Sequence, residues 1–173
     1  MIEPASYSAI QTLREGRKIE IRALRPQDRD GLTSAVARVG KESLYRRFFA
    51  GKREFSETEV SFFVDVDFVN HVALVAVAKE GDQAAIVGGG RYVVVRPGQA
   101  EVAFAVIDEY QGQGIGAALM RHLGAIARHS GLRELIAEVL SENVAMLKVF
   151  EKSGLEMSTK REGAVVHVSL RVP

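Results

Sequence analysis

Gln111-Gly112-Gln113-Gly114-Ile115-Gly116 stands where an apolar, strand-like run ends and a long amphipathic pattern begins. Three glycines alternate with larger residues. Glycine takes up positive φ without the penalty of a Cβ, and it lets a backbone come close to a ligand. A turn of this kind before a helix aims bare N–H groups outward, and the positive end of the helix dipole adds to them. Together they cradle a phosphate or pyrophosphate, so the sequence predicts an anionic cofactor here.

Reading upstream, Glu101 to Ile107 is a strand that feeds the turn, and Arg96-Pro97-Gly98 reverses the chain before it. Val72 to Ala78, the turn Lys79-Glu80-Gly81-Asp82 and Ala84 to Val95 predict a hairpin, with a bulge at Gly88-Gly89-Gly90. Ile19, Ile21 and Ala23 alternate with Lys18, Glu20 and Arg22 as a half-buried strand does. Arg25-Pro26-Gln27-Asp28 starts a helix carrying Leu32, Val36 and Val39 on one face, closed by Gly40. A second short helix is expected over residues 43–49, and the capping box Ser56-Glu57-Thr58-Glu59 introduces a third through Phe62 and Phe63.

Downstream, Leu119, Leu123 and Ile126 repeat at helical spacing until Ser130-Gly131. Leu135 to Leu140 is a strand, and Ser141-Glu142-Asn143 caps a helix whose Met146, Val149 and Phe150 share a face, ended by Ser153-Gly154. Leu155 to Thr159 and Ala164 to Val172 make a final antiparallel pair. The organisation predicted is a lead-in over residues 1–17 and one α/β domain over 18–173.

With 173 residues there is room for one domain with a full core. Lys and Arg number 23 against 22 Asp and Glu, so there is no electrostatic case for nucleic acid or a membrane surface. The chain has no Cys, which rules out disulfides, thiolate metal sites and a cysteine nucleophile. His71, His122, His129 and His167 lack metal-ligand spacing, so no metal is expected. The first residues lack a signal-peptide pattern and no apolar run has membrane-spanning length; the expected location is the cytoplasm.

Gly112, Gly114 and Ala117 also satisfy the G-x-G-x-x-A dinucleotide fingerprint, with Glu138 about twenty residues on, where a ribose-binding acid would sit. The element order argues against that reading. Several strands precede the turn without intervening helices, and an antiparallel pair follows it.

Gln111-x-x-Gly114-x-Gly116 after a strand, followed by helix, strand and an Asn-headed helix, resembles the acetyl-coenzyme A binding core of the GNAT acyltransferases. Upstream, Ile21-Arg22-x-Leu24-Arg25-Pro26-x-Asp28, the run Glu42-Ser43-Leu44-Tyr45-Arg46-Arg47-Phe48-Phe49 and His71-Val72-Ala73-Leu74-Val75-Ala76 are similar to the catalytic domain of bacterial Pat-type protein lysine acetyltransferases. The resemblance implies a mixed, mostly antiparallel, twisted sheet flanked by helices and splayed at the cofactor-binding strand. It implies acetyl-CoA as co-substrate and a protein substrate of the acyl-CoA synthetase kind. The amides from Gln113 through Ala117 would hold the pyrophosphate, with Gln111 and Gly112 opening the motif. The backbone of Phe104 and Val106 would pair with the pantetheine arm, and Asn143 would reach that arm or simply cap its helix.

Amine acylation needs a neutral nucleophile, whereas a lysine amine of pKa about 10.4 is protonated at neutral pH. Glu101 matches the family's catalytic glutamate, and partial burial is expected to fit it for work as a base. Glu138 is the reserve candidate, and the N–H of Val106 is the expected oxyanion donor. Where many family members have a tyrosine to protonate the leaving thiolate, this chain has Phe150, leaving Tyr45 and Tyr110 as substitutes. Arg46 and Arg47 are candidates for an acidic substrate or a cofactor phosphate. The reading is an N-acetyltransferase acting on a protein lysine. A small-molecule amine acetyltransferase and a non-catalytic acyl-CoA sensor stay open beside it.

Overall fold

The computed structural model describes residues 2–38 and 57–173. Eight strands form one sheet: β1 (Ser8–Thr12), β2 (Lys18–Ala23), β3 (His71–Glu80), β4 (Gln83–Arg96), β5 (Gln99–Val106), β6 (Glu134–Leu140), β7 (Glu156–Glu162) and β8 (Val165–Arg171), in the order β1-β2-β3-β4-β5-β6-β8-β7. Only β5 and β6 run parallel; every other neighbouring pair is antiparallel. A dinucleotide fold needs successive parallel strands, so its fingerprint in the glycine turn is coincidental.

The sheet begins inside the stretch expected to be a lead-in. Residues 8–12 form β1, paired with β2 from Ser8↔Arg22 to Thr12↔Lys18. This strand lies at the edge and buries nothing fully, and its one large apolar residue, Ile10, is 68% exposed, so it carries no apolar alternation to read. Position 18 is therefore no boundary.

The expected hairpin is β3–β4. Its bulge is at Val87: Ala76 pairs with Gly88 and Val77 with Ile86, leaving Val87 unmatched. The neighbouring glycines are there for close packing. A Cβ on Gly88 would come within 3.2 Å of the Ala105 carbonyl oxygen, and one on Gly90 would enter the ring of Phe104.

Four helices lie among the described residues: α1 (Arg29–Ala37), α2 (Glu57–Val64), α3 (Ile115–His129) and α4 (Val144–Glu151). The turn Pro26–Asp28 leads into α1 and is fastened to β2 by a bidentate pair, Arg22 Nη1 and Nη2 to the Asp28 carboxylate at 2.7 and 2.9 Å. α3 turns Leu119, Leu123 and Ile126 into the core, as their spacing requires. It ends where expected: Gly131 has φ of 82°, Leu132 N–H donates to Ala127 O, and Gly131 N–H donates to Arg128 O, a Schellman motif. The expected helix over residues 43–49, with Tyr45, Arg46 and Arg47, falls outside the described residues, as do Val39, Gly40 and the Ser56 of the capping box.

β5 and β6 pair at only three positions, Gln99↔Glu134, Ala100↔Leu135 and Glu101↔Ile136. Beyond Glu101 the strands part, and this gap positions everything that follows.

Candidate active site

Strand geometry decides what the gap exposes. Ile107 N–H donates to Val87 O at 2.9 Å, on the β4 side of β5. Backbone groups alternate sides along a strand, so the N–H and C=O of Val106 and Phe104 point the other way, into the gap. These are the two residues expected to pair with an extended ligand. The Phe104 side chain goes instead to the core face, where it is 4% exposed and meets the ring of Phe150 edge-on at 6.0 Å.

At the end of β5 the chain makes a short turn, Asp108–Tyr110, and enters the glycine loop. Gly112 and Gly114 have φ of 79° and 94°, and a Cβ at either would meet nothing within 4 Å, so glycine is required there for backbone conformation and not for room. Gly114 is the N-cap of α3, with no side-chain cap bond and no acidic residue in the first turn. The leading N–H groups of Ile115, Gly116 and Ala117 are left for a ligand anion.

A cleft of about 690 Å³ opens between β5, the glycine loop, β6 and α4, a size suited to an organic ligand. Glu101, Phe104, Val106, Gln111, Gly112, Gly114, Ile115, Gly116, Ala117 and Asn143 all line it. Gln113 is the one expected residue that does not; its side-chain amide donates to Glu109 O at 3.5 Å. Arg14, Lys148 and Lys152 also line the cleft and were not anticipated. Lys148 lies in the last turn of α4 and Lys152, one turn on, is its C-cap, a spacing legible in the sequence, whereas nothing in the sequence ties Arg14, in the β1–β2 turn, to this place. Cations on both sides of bare N–H groups suit a polyanion such as coenzyme A.

Several side chains differ from expectation. Glu101 is exposed and lacks the partial burial expected of it. Tyr110 is buried, and its hydroxyl is engaged: it donates to Glu80 Oε2 at 2.8 Å and accepts from Arg17 Nη2 at 3.1 Å. Burial, then the bond to Glu80, hold its pKa above the usual tyrosine value, which makes it a poor substitute acid. Glu80 is gripped further by Arg38 at 3.0 and 2.7 Å. Asn143 does cap α4, accepting from Met146 N–H at 3.2 Å, and lines the cleft as well. Glu138 lies on the exposed sheet face, with His167 Nδ1 3.6 Å from its carboxylate. Gln111 Nε2 donates to the gap-facing carbonyl of Val106 at 3.1 Å.

His71 is buried between β4 and α2. Its Nε2 lies 2.9 Å from Arg91 Nη1, whose guanidinium stacks 4.9 Å over Phe63 and donates to the Phe63 carbonyl. Burial, reinforced by Arg91, lowers the His71 pKa to about 4, so the ring is neutral and accepts from arginine. Asp67 receives the N–H groups of Val69, Asn70 and His71, each at 2.9 Å, which lowers its own pKa.

Residues 41–155 match the family described as Acetyltransferase (GNAT). The chain belongs to that family. Its co-substrate is acetyl-CoA, and the enzyme is an acyl-CoA-dependent N-acetyltransferase. An acetyltransferase of Pseudomonas aeruginosa is 33% identical over 138 residues, covering 79% of this chain and 74% of that one. Acetyltransferase Pat of Mycolicibacterium smegmatis is 32% identical over 165 residues, 93% of this chain but 48% of the relative, so the GNAT chain described here spans about half its length. The crystal structure of the GNAT domain of S. lividans PAT superposes with a TM-score of 0.85 at 35% identity, covering 95% of this chain and 96% of that one. The mixed sheet splayed at β5 is thus the GNAT fold. No helix among the described residues is long and apolar enough to cross a membrane.

Proposed function

We propose that this acetyltransferase acts on a lysine side chain of a protein, of the acyl-CoA synthetase type, in the cytoplasm, with Glu101 as the general base. The observation that carries the base assignment is where Glu101 stands. It is the last residue of β5 paired on both sides, to Val93 and to Ile136, and it lines both the cofactor cleft and a second groove on the open face of the sheet. A carboxylate at that junction reaches an amine arriving from the open face while the thioester lies in the cleft. The protein-lysine reading is supported by the similarity to two chains named Pat.

The gap-facing N–H and C=O of Phe104 and Val106 suit the amides of a pantetheine arm, which would lie in the gap as a further strand. Residues 111–117 would hold the pyrophosphate, and Asn143 would steady the arm while capping α4. The bound co-substrate supplies an activated acetyl group on a sulfur of low basicity. Glu101 takes the ammonium proton, directly or through water, and Val106 N–H donates to the developing oxyanion. Phe150, 1% exposed against Phe104, has no proton to give. A thiol pKa of about 8.5 lets the thiolate leave without a dedicated acid.

The test is release of coenzyme A from acetyl-CoA, with a purified acyl-CoA synthetase and a panel of small amines as acceptors. Release with the protein and a new acetyl-lysine by mass spectrometry is the expected result; release with small amines alone would overturn the protein-lysine reading. Glu101→Gln should bind acetyl-CoA normally and turn over at least about 10²-fold more slowly, and wild-type turnover would refute the base assignment.

A further inference from the structure

The turn between β1 and β2 touches the cofactor cleft at one residue. Leu13 anchors the first leg of the turn in the core. Gly16 N–H donates to Leu13 O at 2.9 Å and Leu13 N–H to Arg17 O at 2.7 Å, with Gly16 at φ of 82°. This is the closure of a short hairpin loop with glycine in its left-handed position, and it leaves Arg14 and Glu15 at the tip. Arg14 lines the cleft together with Tyr110, Gln111 and Gly112, and it has no hydrogen-bond or ion-pair partner among the described residues. Arg17, at the other end of the loop, is fastened. Its Nη2 donates to the Tyr110 hydroxyl at 3.1 Å and its guanidinium stacks 4.7 Å over the Tyr110 ring. Tyr110 is immobilised in turn, buried and donating to Glu80, which Arg38 grips while also reaching Glu109 at 3.2 Å. One arginine of the turn is thus pinned to the residue that precedes the glycine loop, and the other is held unpaired over the cleft.

We propose that the β1–β2 turn belongs to the donor site: Arg14 binds a phosphate of coenzyme A, and Arg17, through Tyr110, is the positioning residue that holds Arg14 there. The glycine loop itself creates the need. Residues 111–117 contain no Lys or Arg, and the first cation of α3 is Arg121, so the leading N–H groups meet a polyanion with dipoles alone. Lys148 and Lys152 bring charge from α4, and Arg14 brings it from the hairpin fastened beside the loop. A guanidinium suits phosphate oxygens better than a lone ammonium because its N–H groups pair with two of them at once. Coenzyme A offers a pyrophosphate and a 3′-phosphate, which share this chemistry, and the experiment separates them.

Calorimetry measures the affinity of coenzyme A for wild type, Arg14→Ala, Arg17→Met, the double variant and Lys18→Ala. Lys18 is an exposed cation at the start of β2, outside the cleft, and controls for the loss of one charge near the turn. Arg14 and Arg17 are exposed as well, so each variant should keep its fold, and thermal denaturation without ligand checks this. A partly exposed guanidinium–phosphate pair gives about a fivefold weaker Kd in Arg14→Ala. Arg17→Met should weaken binding about threefold in the wild-type background and not at all in Arg14→Ala, where no group is left to position. Lys18→Ala should bind as wild type does. In turnover the same losses should appear as a raised KM for acetyl-CoA with kcat unchanged. Dephospho-coenzyme A identifies the phosphate: the loss in Arg14→Ala vanishes with this ligand if Arg14 meets the 3′-phosphate and persists if it meets the pyrophosphate. Wild-type affinity in Arg14→Ala, or an equal loss in Lys18→Ala, overturns the proposal. Losses that add in the double variant, or a fall in kcat for Arg17→Met, overturn the positioning role of Arg17.

Discussion

Replacing Gly90 with alanine puts a methyl carbon 2.6 Å from Phe104 Cδ1 and 2.7 Å from Cε1. Carbon atoms in good contact are about 3.5–4 Å apart, so the ring must move by about 1 Å. It has little room. Phe104 is 4% exposed, Phe150 stands edge-on at 6.0 Å, and Leu119 Cβ is 3.6 Å from the new methyl. Gly90 is not among the positive-φ glycines, so its backbone accepts alanine, and the stiffer unfolded chain returns about 0.4–1 kcal/mol. Overpacking a filled core costs about 1–3 kcal/mol, and an approach as close as 2.6 Å takes the upper part of that range, leaving a net loss of about 1–2 kcal/mol. For a chain of this length that lowers Tm by about 2–8 °C. Because the Phe104 backbone faces the gap, KM for acetyl-CoA should rise severalfold. Thermal denaturation and steady-state release of coenzyme A read both effects. Phe104→Leu in the Gly90→Ala background should recover part of the lost stability, giving a double-mutant cycle that is not additive. A Gly90→Ala protein melting within 1 °C of wild type, or a strictly additive cycle, would refute the reasoning.

Gly114→Val forces a β-branched residue to φ near 94°, so calorimetry should show acetyl-CoA affinity lost together with about 1–3 kcal/mol of stability, while the far-UV spectrum is kept. Asn143→Ala removes the α4 cap and should lower stability by about 1 kcal/mol in urea denaturation, with a rise in KM for acetyl-CoA if the side chain also touches the arm. His71 makes stability depend on acid. The unfolded chain protonates it near 6.5 and the folded chain only near 4, so the unfolded state binds more protons between those values. Stability therefore falls as pH drops through that window, by about 2–3 kcal/mol, and His71→Gln should flatten the dependence in denaturation series from pH 7 to 4.

The parts of the fold set by strong periodicity were legible. The face of α3 with Leu119, Leu123 and Ile126, its glycine stop, the β3–β4 hairpin and the closing β7–β8 pair all follow from alternation and turn chemistry acting locally. β1 was not, because an edge strand with Ile10 facing water carries no pattern of burial. In the site, the backbone-made portion was readable because glycines at positive φ announce it. Side-chain partnerships were not: the grip of Glu80 on Tyr110 joins residues 30 apart in sequence, and Arg91 finds His71 only through the register of β3 and β4. Burial of a polar residue depends on what covers it, which is why Glu101 was expected partly buried and stands exposed.

The gap between β5 and β6 also has a mechanical meaning. One block of the sheet, β1 to β5, and another, β6 to β8, are each stitched along most of their strands, yet only three residue pairs join them. A force that opens the molecule would find that seam first, and thermal breathing has its lever there. The width of the slot is thus governed by a zipper of Gln99, Ala100 and Glu101 whose last tooth is the carboxylate itself, so any strain that loosens the seam moves the base and the slot together.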